Sequence, residues 1–130
     1  MPLSFHEIQD IAYGLTQRKQ WLEAAVAYQS LVKAAREELG SEMAMFFAMN
    51  NQSVCLYFAG KYVEAIGLQK DMHTLMDKVY DSMPGSPANS DLALYPEVKE
   101  CEENYELMLN YVKNGGTKPY PNWYRECDMY

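Results

Sequence analysis

Residues 49–66, MNNQSVCLYFAGKYVEAI, decide the fold of this chain, because residues 5–41 hold a diverged second copy of them. A shift of 41 residues places small residues on small ones and bulky residues on bulky ones. The matching pairs are Ile8 and Met49, Ala12 and Ser53, Leu15 and Leu56, Trp21 and Tyr62, Glu23 and Glu64, and Ala24 and Ala65. Such a repeat predicts stacked helix pairs, in which each pair completes the core of its neighbour.

Capping residues and breaks predict where the helices begin and end. Ser4 precedes Glu7 by three residues, the spacing of a reciprocal capping box at a helix start. A break is predicted near Lys19, Gly40 can supply the left-handed cap of the second helix, and Gly60 closes the third. Three further helices are predicted over about residues 42–59, 61–82 and 96–113. No segment alternates like a β-strand, so the sequence predicts an all-α chain.

The composition is that of one acidic globular domain. The chain has 130 residues, with 48% hydrophobic and 22% charged side chains, which is enough to build a core. Its formal net charge is −7, and its eleven basic residues are scattered among eighteen acidic ones. A nucleic-acid partner is therefore not expected, because binding a phosphate backbone requires a clustered basic surface.

The cysteines and the N-terminal residues predict a cytoplasmic location. Cys55, Cys101 and Cys127 are odd in number and show no CxxC spacing, which favours a reducing compartment. The first ten residues lack the basic and apolar segments of a signal peptide. No apolar stretch reaches the roughly 18 residues of a membrane-spanning helix, so no membrane association is expected.

The repeat resembles the tetratricopeptide repeat, whose first helix has bulky and small residues at fixed spacing and whose second has a small residue four before an aromatic one. The first copy matches with Ile8, Ile11, Ala12 and Leu15, followed by Ala24 and Tyr28; the second matches with Met49, Ser53, Leu56 and the GKYVEAI segment of residues 60–66. Gln52 and Gln69 depart from the pattern, since apolar or aromatic residues are usual there. The period of 41 exceeds the usual 34 and is similar to the long repeats of kinesin light chains.

This resemblance implies a short right-handed solenoid of about two helix pairs. A helical domain over residues 1–116 would contain repeats over about 5–41 and 46–82 and a capping helix over about 96–113. A loop is predicted over residues 83–91, which are rich in Pro, Gly, Ser and Asn. The tail, residues 117–130, is rich in proline and aromatic residues. We expect it to cap the last helix, with groove filling and docking elsewhere as alternatives.

In tetratricopeptide repeats the first helix of each pair lines a concave groove that holds a peptide or a partner helix. The corresponding residues are His6, Gln9, Tyr13, Thr16 and Gln17 on the first helix and Phe47, Asn50, Asn51, Val54, Tyr57 and Phe58 on the third. Asn51 matches an asparagine that in related repeats bonds the backbone of a bound peptide. The resemblance therefore implies a non-catalytic adaptor or complex subunit with a protein or peptide partner.

One family ligand is not expected. Repeats that bind the acidic C-terminus of heat-shock chaperones use a lysine and an asparagine where this chain has Gln9 and Tyr13. A carboxylate would therefore lack its charged partner. Catalysis, a cofactor and a metal are not expected either, because no triad or phosphate loop occurs and neither His6 nor His73 has a ligand at metal-binding spacing.

Two alternative functions remain open at this point. The chain could be a structural domain that forms a homodimer or a larger assembly through Phe46, Phe47, Tyr57 and Phe58. It also resembles the peptide-substrate-binding domain of collagen prolyl 4-hydroxylases, through its two repeats and the helix that contains YPEVKECEENYELML at residues 95–109. That domain binds proline-rich peptides through tyrosines, and Tyr57 would be the matching residue.

Overall fold

The computed structural model describes residues 3–40, 42–82 and 96–114, and within these ranges the chain is entirely helical with no strand. Side chains are described for residues 3–40, 44–75, 103–110, 112 and 113. The described helices are α1 (Phe5–Gln17), α2 (Trp21–Ala34), α3 (Glu42–Phe58), α4 (Tyr62–Ser82) and α5 (Pro96–Asn114). A π-helical turn, Ala35–Leu39, continues α2. The predicted all-α class is confirmed for the described residues, whereas the loop of residues 83–91, the tail and a possible cap at Ser41 lie outside them.

Helix α1 begins with the predicted capping box. The backbone N–H of Ser4 donates to Glu7 Oε1 at 3.1 Å, and the backbone N–H of Glu7 donates to Ser4 Oγ at 3.3 Å. The hydrogen bond from the Ser4 backbone, with a further contribution from its hydroxyl, lowers the pKa of Glu7 below its ordinary value. The two side chains thereby bond two backbone N–H groups at the helix start that have no intrahelical acceptor.

Replacing Ser4 by alanine is expected to lower the free energy of unfolding by about 1 kcal/mol, since the hydroxyl acceptor at the helix start is lost. Urea denaturation followed by circular dichroism measures this change. Ser30→Ala is the matched control, because Ser30 is exposed in α2 and caps no helix start. Equal midpoints for the two variants would show that the cap contributes nothing.

The two helix junctions that follow α1 and α3 have the same backbone hydrogen bonds. Lys19 N donates to Thr16 O and Gln20 N to Leu15 O, at 3.0 and 2.9 Å. The bonds 41 residues later are Gly60 N to Tyr57 O and Lys61 N to Leu56 O, also at 3.0 and 2.9 Å. Lys19 and Gly60 both have positive φ, 60° and 85°. The sequence repeat is therefore also a repeat of backbone geometry at the breaks.

The predicted glycine cap of the second helix is also confirmed. The π-helical turn Ala35–Leu39 ends at Gly40, whose φ of 57° is left-handed. Glycine adopts this conformation without the steric cost that a Cβ atom brings.

Helix α3 is the centre of the described structure, because α2, α4 and α5 all pack against it. Its buried residues lie on every side of the helix rather than in one stripe, as expected of a helix surrounded by others. The main core cluster joins α1, α2 and α3 and includes Phe5, Tyr28, Leu31 and Phe46. A second cluster joins α3, α4 and α5 through Val54, Tyr57, Ala65 and Met108. None of the described helices has the length and apolarity needed to cross a membrane.

Candidate functional site

One side of α1 presents polar and aromatic residues to solvent at helical spacing. His6, Tyr13 and Gln17 are exposed, Tyr13 to 39%, and Gln9 is half-buried. We call these four residues the α1 polar face. Thr16, the fifth residue predicted here, lies on the inner side instead, where its hydroxyl donates to Tyr13 O at 2.6 Å. The predicted groove residues of α1 are therefore accessible to a partner, with Thr16 as the exception.

Gln9 has an incompletely bonded side chain within the α1 polar face. Its Oε1 atom is shielded from solvent and has no hydrogen-bond partner among the described residues. A buried carbonyl oxygen of this kind normally accepts a hydrogen bond, because losing water without a replacement costs about 1–3 kcal/mol. Gln9 is therefore suited to accept a backbone N–H from a bound peptide.

The residues predicted to line the groove on α3 are placed in the interior. Phe47 is 1% exposed, Asn50, Asn51, Val54 and Tyr57 are fully buried, and Phe58 is half-buried. Contact between these residues and a partner stays a prediction, and it requires α3 to be uncovered first. The aromatic residues considered for self-association are likewise buried, apart from half-buried Phe58, so a homodimer would have to use another surface.

Helix α5 accounts for part of this burial. Asn104 Nδ2 donates to Asn50 Oδ1 at 2.8 Å, which fixes α5 against α3. Met108 of α5 is fully buried in the cluster that contains Val54 and Tyr57. On α4, the His73 ring lies 5.2 Å from the Tyr105 ring of α5 and adds a contact between these two helices. The third helix of the chain thus receives α5 where the resemblance places a groove.

Five buried polar residues of α3, α4 and α5 form one hydrogen-bonded group, the amide cluster: Asn50, Asn51, Ser53, Gln69 and Asn104. Gln69 Nε2 donates to Asn50 Oδ1 at 3.1 Å and to Ser53 Oγ at 2.5 Å. Ser53 Oγ in turn donates to the Asn50 backbone oxygen at 2.8 Å. Asn50 Oδ1 is the shared acceptor, because it receives hydrogen bonds from both α4 and α5.

The repeat explains where the amide cluster comes from. Ser53 and Gln69 occupy the positions that Ala12 and Tyr28 hold in the first helix pair, and all four side chains are buried. A hydroxyl and an amide thus stand where the first pair has a small apolar residue and an aromatic one. The sequence shows that Gln69 departs from the repeat pattern, and reading the same shift at position 53 identifies its partner.

Ionisable groups give no sign of a reactive or metal-binding site in the described part of the chain. Burial raises the pKa of the Cys55 thiol to about 12, which disfavours the nucleophilic thiolate. Cys55 is free and buried in the main core cluster. No group of three His, Cys, Asp or Glu residues that could hold a metal occurs among the described residues.

A second surface, which we call the α1–α2 groove, was not identified from the sequence. It is an open crevice of about 630 Å³ between α1 and α2. Its apolar lining consists of Leu3, Ile8, Ile11, Ala27 and Ala34. The sequence places Ile11 in the apolar stripe of α1, yet its side chain is 47% exposed. This exposure is the signal that α1 has a second apolar side.

No family model matches the chain, and neither a curated protein nor a solved structure matches it. Function is therefore inferred from the geometry of α1 to α5 and from the chemistry of their surfaces.

Proposed function

We propose that this chain is a non-catalytic protein-interaction module of tetratricopeptide-repeat type, which binds a peptide or a partner helix along the α1 polar face. In this proposal the two helix pairs, α1 with α2 and α3 with α4, form a short right-handed solenoid, and α5 closes its C-terminal end. The repeated junction hydrogen bonds after Thr16 and Tyr57 support the assignment, since two unrelated helix turns would not be expected to share them at a shift of 41 residues.

The observation that carries the binding site is the combination of Tyr13 with Gln9. Residues four apart lie on the same side of a helix, so Tyr13 and Gln9 form one local surface, with Gln17 in line. An exposed tyrosine offers a large apolar ring and a hydroxyl, the combination enriched where proteins bind each other. The buried Gln9 oxygen adds an acceptor that has no donor among the described residues.

These three side chains favour recognition of main-chain groups rather than of charge. Glutamine amides provide both donors and acceptors, so they can bond a peptide backbone whatever its side chains are. The face carries no cationic side chain among Gln9, Tyr13 and Gln17, so an acidic peptide gains no ion pair there. We therefore propose that the ligand is an extended segment or a helix with an apolar anchor residue that packs against Tyr13.

The test is selection of a peptide library on the immobilised full chain, followed by fluorescence anisotropy with the selected peptides. Tyr13→Ala is expected to weaken binding at least tenfold, about 1.4 kcal/mol, as expected for an aromatic anchor at the centre of a site. Gln9→Ala is expected to weaken it by a smaller factor. Val63→Ala is the matched control, because Val63 is 86% exposed on α4 and belongs to neither surface.

Two results would contradict the proposal. Selected peptides that bind wild type and Tyr13→Ala equally would place the site elsewhere. Failure of the library to yield any saturable binder would remove peptide binding as the function. Circular dichroism spectra of the variants show that a loss of binding is not a loss of fold, since Tyr13 is not in the core.

A further inference from the structure

The α1–α2 groove is an apolar surface that nothing covers within the described residues. Leu3 and Ile11 are each 47% exposed, and Ile8 and Ala27 are half-buried beside them. The exposed positions lie on the opposite side of α1 from the polar face, because Ile11 and Tyr13 are two residues, roughly 200°, apart around the helix. This surface is therefore separate from the site of the proposed function.

The second helix pair shows what such a surface receives. The α1 residues that line the groove, Ser4, Glu7, Ile8 and Ile11, correspond by the shift of 41 to Met45, Ala48, Met49 and Gln52 on α3. Met45, Ala48 and Met49 belong to the core cluster that contains the buried residues of α2. Gln52 and Met49 also line a crevice together with Val32 and Arg36 of α2.

The comparison of the two pairs gives the geometry of a missing helix. On α3 the four positions face α2, the strongest helix–helix contact in the described structure. On α1 the same four positions face the open groove. A helix that packed on α1 as α2 packs on α3 would cover Ile8 and Ile11 and continue the stack by one element. It would need about three turns to follow the groove along residues 27–38 of α2 and its π-helical turn.

Charge at the edge of the groove selects among possible occupants. Glu7, Glu37 and Glu38 line it with exposed carboxylates, against the single cation Lys33. A second copy that docked groove to groove would place these carboxylates opposite one another, which disfavours a symmetric dimer. The tail of this chain is also a poor occupant, because it has prolines at positions 119 and 121, which do not suit the interior of a helix.

We propose that the α1–α2 groove binds an amphipathic helix of a partner protein, with an apolar stripe against Ile8 and Ile11 and flanking lysine or arginine residues near Glu7, Glu37 and Glu38. The partner helix packs on α1 as α2 packs on α3. The interaction is independent of the α1 polar face, so a single chain can hold a peptide on one side of α1 and a basic helix on the other.

The probe for this test is a peptide with the sequence of α2 and its π-helical turn, since α2 is the helix that fits the equivalent surface of α3. A fluorescein-labelled peptide of residues 21–39 with Glu23→Lys, Glu37→Lys and Glu38→Lys is titrated with the full chain and followed by anisotropy. Saturable binding is expected, weaker at higher salt because the carboxylates contribute through screened interactions. The unsubstituted peptide of residues 21–39 is expected to bind at least several-fold more weakly.

Substitutions in the full chain locate the binding. Ile11→Asp is expected to weaken the lysine-containing peptide at least tenfold, and Glu37→Lys with Glu38→Lys to weaken it and to flatten its salt dependence. Val63→Asp on α4 is the matched control and is expected to leave binding unchanged, as is Tyr13→Ala on the polar face. Because Ile11 and Val63 are both exposed, neither change is expected to unfold the chain.

Three results would overturn the proposal. The first is the absence of saturable binding of the lysine-containing peptide. The second is equal binding by wild type and Ile11→Asp. The third is a concentration-dependent dimer, seen by light scattering and abolished by Ile11→Asp, which would assign the groove to a second copy of the chain. None of these bears on the Tyr13 test, so the two proposals stand or fall separately.

Discussion

Replacing Asn50 by leucine is expected to lower the free energy of unfolding by about 2–5 kcal/mol. Asn50 Oδ1 is the acceptor for both Gln69 Nε2 and Asn104 Nδ2, at 3.1 and 2.8 Å. Leucine fills a similar volume but removes both bonds at once. Each buried donor that loses its acceptor costs about 1–3 kcal/mol, although Gln69 keeps its bond to Ser53.

The measurement is urea denaturation of wild type, Asn50→Leu and two comparison variants. Asn104→Ala removes only the α5 donor and is expected to cost less, about 1–2 kcal/mol. Asn110→Leu is the matched control, because Asn110 is an exposed asparagine on α5 and its replacement is expected to change stability by less than about 0.5 kcal/mol. An Asn50→Leu midpoint equal to that of Asn110→Leu would contradict the shared-acceptor role.

Replacing Tyr28 by glutamine is expected to cost about 3–5 kcal/mol, comparable with removal of a large buried aromatic side chain. Tyr28 is fully buried and occupies in the first helix pair the position of Gln69 in the second. A glutamine there would lose the ring contacts and would face Ala12 rather than the hydroxyl that Ser53 offers Gln69. The amide would therefore be buried without its equivalent partner.

Adding Ala12→Ser to Tyr28→Gln is expected to recover about 1 kcal/mol, because it recreates the hydroxyl–amide pair of the second helix pair. Ala12→Ser alone is expected to destabilise, since it buries a hydroxyl beside an aromatic ring. The double-mutant cycle, again by urea denaturation, isolates this coupling. A coupling energy of zero would mean that residues 12 and 28 do not meet as residues 53 and 69 do.

The helices themselves were predictable because their ends carry local chemistry. The capping box at Ser4, the break at Lys19 and the left-handed Gly40 depend only on a few neighbouring residues, and each was found in the sequence. The repeat added the register between the helix pairs. These features are set by backbone hydrogen bonds and steric limits, which act over one helix turn.

The accessibility of the site was less predictable, because it depends on contacts between distant segments. Position in the repeat placed Asn50 and Val54 in a groove, yet α5, about fifty residues later in the chain, covers them with Asn104 and Met108. The signal in the sequence was the composition of α3 itself, which is apolar on all sides as in a helix enclosed by others. The α1–α2 groove was missed for the converse reason, since the apolar residue Ile11 was expected to be covered.

The buried thiol of Cys55 provides a clock for the opening of α3. With its pKa raised to about 12, the thiol is almost entirely protonated at neutral pH and is shielded within the core. A thiol reagent therefore reacts with Cys55 only in molecules whose core has opened, at a rate set by that opening. In a chain with Cys101→Ser and Cys127→Ser, the labelling rate reports the exposure of Cys55 alone. The same events would expose Asn51 and Tyr57, so the labelling rate sets an upper limit on how fast any ligand reaches them.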